Sequence, residues 1–516
     1  MRRSDCPDLT PDPVTTRIRR LAAAMWMLIV TYALHAQTDT LHIVRQLNKN
    51  KQYTRALNLL DAYNRHHRGD LTGAWLRAQT LHLAGDFTGA QRAYYTLENK
   101  HPYNYDIKLD RINKVIDHGD IGSAIQQLRR LAPQLPKDYY FVAHRTLAQL
   151  FYWKGEYDKA YKEIKTALHV YPADKKALQI RAGIQRARSH WTDVRIAIQK
   201  DDQPLSAFRS ELETGFYIHS HLTAGVLLSL PAFGYDDHRL SVPQGGAFGI
   251  FNFTNTGTQV RLDAGLAAFR EKTEWTGGIS ITQRLSDVVR ARAAIARLPY
   301  LTTTLAIPAA LMQNQTDLQV VYDKPNGFTG KLLYRANRFA ALDNGFFTIG
   351  GWLVSPGLLP DDFQIRLGYG FGYSDSKANT FRATESVDSI AANWDSTAVI
   401  PGVYDPFFSP HRQMVHTAVA AMQYQINPGL KAGLNLNYGF YARTDAPHLF
   451  PGEGDDGLLS IERGFHKATY HPFDWAGYVY YELSDRLSLK AFYKYQRTFY
   501  YKSHYFGMTG HYLFGR

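Results

Sequence analysis

The sequence predicts an α + β multidomain chain, an all-α solenoid of helical repeats followed by an antiparallel transmembrane β-barrel of about 14–16 strands. Three observations predict it. Ala90, Ala124 and Ala160 are each preceded five residues earlier by a glycine (Gly85, Gly119, Gly155) and followed twelve later by a proline (Pro102, Pro136, Pro172). From about residue 205 apolar and polar residues alternate singly, the period of a strand with two unlike faces. Ahead of both, the N-terminus reads as an export signal.

That signal is predicted over residues 1–36. Arg17, Arg19 and Arg20 precede the uncharged run Leu21 to Ala33, and Ala36-Gln37 offers a small-residue cleavage point. The run is too short to span a bilayer as a retained anchor. The only cysteine, Cys6, would leave with it, so the mature chain is expected to hold no disulfide and no Cys-based metal site. No other uncharged run reaches transmembrane-helix length, which makes strands the expected route into a membrane.

The repeat array is predicted over 38–200. Its clearest unit is Leu147-Ala148-x-x-Phe151-x-x-x-Gly155-Glu156-Tyr157-Asp158-x-Ala160, continuing through Ile164 and Ala167 to Pro172. Small Ala148 and Ala160 allow two helices to approach, Gly155 makes the turn between them, and Pro172 stops the second. Gly85-Asp86-Phe87-x-x-Ala90 and Gly119-Asp120-Ile121-x-x-Ala124 repeat the order, and Gln52-Tyr53-x-x-Ala56-x-x-x-Leu60 keeps part of it. These units resemble the tetratricopeptide repeat, a helix-turn-helix of about 34 residues. Four are expected over 38–174, with a polar capping helix over 175–200. The resemblance implies a scaffold that binds other proteins.

Composition fits an exported membrane protein. The 516 residues include 34 Tyr, 27 Phe and 39 Gly, the Phe and Gly falling mostly in the second half as barrel walls and interfacial girdles require. The formal charge is +13, yet no basic helix, aromatic nucleic-acid motif or zinc-finger spacing is present, so nucleic acid is not an expected partner. A positive lumen and surface account for the charge. No motif calls for a cofactor.

The barrel is predicted over 205–516. In its cleanest segment Leu430, Ala432, Leu434, Leu436, Tyr438 and Phe440 share one face and Lys431, Gly433, Asn435, Asn437 and Gly439 the other. Val260, Leu262, Ala264 and Leu266 oppose Gln259, Arg261, Asp263 and Gly265; Ile365, Leu367, Tyr369, Phe371 and Tyr373 oppose Gln364, Arg366 and three glycines. Leu487, Leu489, Ala491, Tyr493 and Tyr495 oppose Ser488, Lys490, Phe492, Lys494 and Gln496. Sixteen segments can be marked, starting near Glu211, His221, Gly246, Gly257, Glu274, Val288, Tyr300, Gln315, Gly327, Gly345, Asp362, Gln413, Gly429, Phe473, Arg486 and Ser503. Connections 375–411 and 443–471 are expected to be outer loops, because outer-membrane barrels keep periplasmic turns short.

Two C-terminal stretches narrow the family. Tyr404-Asp405-Pro406-Phe407-Phe408-Ser409-Pro410-His411-Arg412, then Tyr495-x-x-Thr498-x-x-Tyr501-x-x-His504-x-x-Gly507-x-x-x-x-Tyr512-x-Phe514, resemble the barrel of the outer-membrane export subunit of bacterial cellulose synthase. The layout also resembles the poly-N-acetylglucosamine porin. The resemblance implies a periplasmic tetratricopeptide array joined to an outer-membrane barrel of a Gram-negative bacterium that exports polysaccharide. Its implied partners are outer-membrane lipid, periplasmic or synthase-complex proteins, and the glycan chain. Four repeats are fewer than that family carries, so the array is expected to recruit a partner at the barrel mouth rather than bridge to a distant synthase.

Candidate site residues follow from the wet face. Arg261, Asp263, Arg290, Arg292, Arg366, Lys431, Asn435, Asn437, Lys490 and Lys494 are the candidate translocation path, since polar groups in a wet pore can pass a sugar chain by exchanging hydrogen bonds. The bland alternative is ordinary lumen lining that fills or plugs the barrel. The loop motif Asp405, Pro406, Phe408, Ser409 and Pro410 either folds into the barrel or stiffens its rim. Asp361-Asp362 and Asp455-Asp456 lack the ligand spacing of a calcium hand and read as solvated turn carboxylates. Ser503-His504 would point to opposite faces of a strand, which disfavours a hydrolase dyad. His66-His67 reads as solvated between helices. Three function classes remain open, in order: an exopolysaccharide (cellulose-like) export channel, a non-transporting outer-membrane anchor whose repeats recruit periplasmic proteins, and a rim enzyme; the expectation is no enzyme.

Overall fold

The computed structural model describes residues 40–202, 205–235, 238–324, 327–359, 362–393, 399–453 and 459–515. The expected signal peptide lies outside the described residues. The chain divides into two compact units, one holding the residues up to Leu150 with Glu163–Ala177, the other Phe151–Lys162 with Leu178 onward.

The helical unit is built from antiparallel pairs. They are α1 (40–49) with α2 (Tyr53–His66), α3 (Leu71–Leu83) with α4 (Phe87–Lys100), and α5 (Tyr105–Asp117) with α6 (Ile121–Leu131). The sequence continues in α7 (Lys137–Trp153), α8 (Tyr157–Val170) and α9 (Lys175–Ala187). Ala56, Ala90 and Ala124 are fully buried, as close helix approach requires. Gly85 and Gly119 adopt φ of +87° and +92°, the left-handed conformation that reverses the chain without steric cost. The first repeat has no glycine there, and Lys51 takes the same conformation at φ +58°. Asp86 and Asp120 follow these turns and cap α4 and α6, accepting from the amides of Gly89 and Ser123. At the centre, Asp110 Oδ2 accepts hydrogen bonds from Trp75 Nε1 (2.6 Å), Gln79 Nε2 (2.8 Å) and Tyr94 Oη (2.6 Å). His66 and His67 each place Nδ1 against a backbone carbonyl of α2, at 2.9 and 3.0 Å, so they finish that helix.

The second unit contains a closed antiparallel barrel. Its first half runs through β1 (His190–Asp201), β2 (Ser206–His219), β3 (Leu222–Ser229), β6 (Gln244–Phe253), β7 (Thr258–Ala268), β8 (Thr273–Arg284), β9 (Val289–Pro299) and β10 (Met312–Asp323). The other half is β11 (Thr329–Phe339), β12 (Asn344–Val354), β13 (Phe363–Ser376), β16 (Gln413–Asn427), β17 (Leu430–Glu453), β19 (Phe473–Ser484), β20 (Leu487–Arg497) and β21 (Lys502–Phe514). Neighbours in this order pair antiparallel, and β21 pairs back onto β1, which makes a ring of sixteen strands. The hairpin β4 (Ala232–Tyr235) and β5 (His238–Ser241) extends from β2, while β14 (Phe381–Ala383), a short helix Val387–Asn393 and β15 (Gly402–Tyr404) lie in the longest connection. β18 (Leu459–Tyr470) pairs with the upper half of β17, so much of the expected outer loop 443–471 is a two-stranded ribbon. Short turns such as 220–221, 428–429 and 485–486 gather at the end where β1 begins, here the near end; the long connections gather at the far end.

Two expectations are corrected. Residues 190–200 are not the tail of a capping helix: α9 stops at Ala187 and β1 follows. Val194, Ile196 and Ile198 alternate there with Asp193, Arg195, Ala197 and Gln199, a β-branched period-two run that favours a strand. Conversely, the segment starting at Tyr300 is a connection, 300–311, bounded by Pro299 and interrupted by Pro308.

Side chains that link strands not adjacent in the ring identify the interior, since only a concave surface brings them together. Arg261 Nη1 on β7 reaches Glu213 Oε1 on β2 at 2.6 Å, and Trp191 on β1 stacks on Phe248 on β6 with centroids 6.0 Å apart. By the pairing registers, residues alternating with these point outward, and they include exposed Ile196, Leu262, Ile279, Leu318, Ile349 and Val479. On the same outward set Tyr424, Tyr481 and Tyr512 lie toward the near end, and Trp275, Tyr373, Trp475 and Tyr495 toward the far end. A smooth aliphatic belt between two aromatic girdles is the surface that suits a bilayer.

Candidate functional site

Strand alternation puts all ten residues expected to line a pore on the inward set: Arg261 and Asp263 on β7, Arg290 and Arg292 on β9, Arg366 on β13, Lys431, Asn435 and Asn437 on β17, Lys490 and Lys494 on β20. They form no single cluster; they are spread around the wall. Arg261 is fixed by Glu213 and by Asp263, whose Oδ1 lies 2.8 Å from Nη2, and its guanidinium lies over the Phe248 ring at 4.3 Å. Lys431 Nζ sits 4.7 Å from the Tyr480 centroid and Lys490 Nζ 4.8 Å from that of Tyr478. Asn437 donates to Asp474 at 2.7 Å, and Arg366 Nη1 to Thr329 Oγ1 at 2.8 Å. Arg290 approaches Asp323 at the near rim, at 4.0 Å.

The interior also holds groups the sequence did not single out. Trp191, Phe248, Tyr478, Tyr480 and Tyr505 face inward, with Tyr505 stacked on Phe492 at 5.6 Å. Aromatics on the wet face break simple alternation, because both faces then carry large apolar rings. The signal that could have found them is the residue opposite: Gly433 faces Tyr478 and Gly507 faces Phe492, leaving each ring room to lie flat against the wall. Asp317, buried on β10, accepts from Arg335 Nη2 of β11 at 2.7 Å.

Two apolar clusters sit at the far mouth. One unites inward-facing Ala207 of β2 and Ala267 of β7 with Leu301, Ile307 and Ala310 of the connection 300–311 and with Phe233 of β4. Arg209 Nη2 on β2 also donates to the Leu301 carbonyl at 3.1 Å, so this connection crosses the mouth. The second cluster joins Tyr300, Ala306, Leu311, Phe339 and Phe407. Phe407 is fully buried and stacks on Phe339, the last inward residue of β11, at 4.0 Å.

Phe407 turns inward; around it the rim is tied by the pairing of Arg382 with Asp405, by Thr303 Oγ1 donating to the Pro406 carbonyl (2.6 Å), and by Ser409 Oγ accepting from the Thr380 amide (2.7 Å). Ser376 Oγ donates to the Pro410 carbonyl at 2.7 Å, and Phe408 packs on Tyr500 at 4.4 Å. Burial pushes the Tyr404 and Tyr500 phenols up, so both stay protonated at the rim.

No protein-family model matches the chain, and no curated protein matches it significantly. Among solved structures the chain is similar to a bacterial polysaccharide outer membrane secretin, at 8% identity over 64% of this chain and 99% of that one, with a TM-score of 0.45. It is similar to OpdL of Pseudomonas aeruginosa at 14% identity, covering 63% of this chain and 98% of that one, TM-score 0.33. A tetratricopeptide repeat protein from Parabacteroides merdae is similar at 16% identity, covering 30% of this chain and 60% of that one, TM-score 0.25.

Ser503 and His504 point to opposite faces of β21, and His504 Nδ1 lies 2.6 Å from the Tyr493 hydroxyl on the outward side. Asp361, Asp455 and Asp456 lie outside the described residues. Among the described residues no group of three or more His, Cys, Asp or Glu could hold a metal ion, and no helix is long and apolar enough to cross a membrane.

Proposed function

We propose that the chain is an outer-membrane channel of a Gram-negative bacterium for an exported polysaccharide of the cellulose-like class, with the helical repeats serving in the periplasm as a docking module for periplasmic or synthase-complex proteins. One observation carries this reading: a closed ring of sixteen strands whose inner wall sets cations over aromatic rings, as in Lys431 over Tyr480, Lys490 over Tyr478 and Arg261 over Phe248. Such a wall offers a passing glycan ring faces to slide on and donors to exchange between, with no chemical step. The aliphatic belt and aromatic girdles of the outer face support the membrane setting. A second reading, a non-transporting anchor whose repeats recruit partners, is favoured by the apolar clusters at the far mouth.

Two measurements separate them. A deletion strain loses secreted glycan under the first reading and retains it under the second. The purified chain in a planar bilayer shows ion conductance, raised on removing 377–411, under the first; no conductance with or without that segment would leave only the anchor.

A further inference from the structure

One stretch of the inner wall is recessed rather than merely lined. On β6, β7 and β8 the inward positions Gly246, Gly265 and Gly278 carry no side chain, and at all three none can be added, a Cβ on Gly278 meeting the Ile295 carbonyl oxygen at 2.8 Å. A Cβ on Gly265 would come 2.5 Å from the Gly245 carbonyl oxygen, and one on Gly246 would come 2.6 Å from that of Ala264. This part of the floor is therefore bare backbone, flanked by Thr276 and Ser280, and the hollow above it has a volume of about 630 Å³, inside the roughly 300–1,000 Å³ typical of small-molecule sites.

Its rim is charged in both senses. Arg195, Arg261 and Arg292 supply guanidinium donors, and Glu213 and Asp263 supply carboxylate acceptors. Arg261 is held in place three times over, by Glu213 at 2.6 Å, by Asp263 at 2.8 Å and by the Phe248 face at 4.3 Å. Phe248 is itself backed by Trp191. A donor and two acceptors fixed in advance lose little freedom when a ligand arrives. An isolated anion would meet two carboxylates here and an isolated cation three guanidiniums. A neutral polyhydroxylated ring presents donors and acceptors together, and its flat face suits the glycine part of the floor.

We infer that this hollow is a binding subsite for one stretch of a neutral pyranose chain, a resting place on the wall for glycan in transit. The inference rests on the export reading for its biological sense, but the site itself can be tested alone.

Cellohexaose titrated calorimetrically into the full chain in detergent should bind saturably. Ser280→Trp, which fills the hollow from its lining, should weaken binding at least tenfold while the protein still inserts and conducts ions. Arg292→Gln, a smaller change, provides the second test, with about a tenfold loss expected. No binding to the wild type, or equal binding by both variants, would overturn the subsite. Tighter binding of hexagalacturonate than of cellohexaose would overturn the neutral class. Binding that responds to both variants in a chain that conducts no ions would uphold the subsite and refute export; conductance without binding would do the reverse.

Discussion

Phe407→Ala tests whether the far mouth is held shut by packing. The side chain is fully buried, stacks on Phe339 at 4.0 Å with planes 24° apart, and lies 6.2 Å from Phe346 and 6.4 Å from Tyr300. Truncating a buried Phe costs about 3–5 kcal/mol, of which each aromatic pair accounts for about 0.5–1.5 kcal/mol. A loop can relax into part of the vacancy, so the lower figure, about 3 kcal/mol, is expected. At about 1.4 kcal/mol per tenfold this shifts the balance between docked and released loop by a factor of about 150. Single-channel recording should show large openings about two decades more frequent, and proteolysis within 377–412 should accelerate in parallel. Opening frequency and cleavage both equal to wild type would refute the idea that this cluster closes the mouth.

Four further outcomes follow from the same geometry. Leu318 points outward beside inward Asp317, so Leu318→Lys should cost about 2–4 kcal/mol in folding into vesicles while Gln315→Lys on the wet face costs under about 1 kcal/mol; equal costs would show the facing to be reversed. Replacing Arg366 and Lys431 with Glu should move the reversal potential in a salt gradient toward cation selectivity, and an unchanged potential would place these residues off the ion path. Lys51→Gly should slow hydrogen exchange in α2 about fivefold, because relief of φ +58° is worth about 1 kcal/mol; faster exchange would mean the lysine side chain contributes more than its backbone costs. Asp158 carries the pH dependence. Burial opposes its charge, but hydrogen bonds from the Ser220 amide (2.9 Å) and hydroxyl (3.0 Å), together with Arg188 Nε at 3.0 Å, outweigh burial and hold the carboxyl below its ordinary range. A depressed folded pKa gives stabilisation that is present above the unfolded value of about 4 and lost as pH falls through the lower folded value. Exchange at 151–162, corrected for its intrinsic pH dependence, should rise in that acid window and become flat in Asp158→Asn; the same rise in the variant would assign the acid response to another group.

Much of the fold is legible in the sequence because its determinants are local. Gly85, Gly119 and the alanines five residues on announce each repeat, since one backbone conformation and one close approach recur at fixed spacing. Strand faces can be read wherever wet residues are charged, as at Arg261 or Lys431. Legibility fails where a local rule is overridden. Val194, Ile196 and Ile198 lie behind a helical run and look like its tail, and the β-branched Thr302-Thr303-Thr304 suggests a strand where the chain instead crosses the mouth. The Gly246 and Gly265 hollow is invisible for another reason: a cavity depends on which glycines become neighbours across strands, and that is a property of register.

The pairing of β21 with β1 sets a kinetic condition on the whole molecule. His511 meets Asp193, 318 residues earlier in the chain, and the ring has two unpaired strand edges until that seam forms. The helical pairs close over a few dozen residues and can form as soon as they are made, whereas the barrel must wait for its last strand. High contact order of this kind means slow folding with sticky edges exposed in the interval. The last dozen residues therefore act as a closing key: the helical unit can form without them, and the barrel cannot complete.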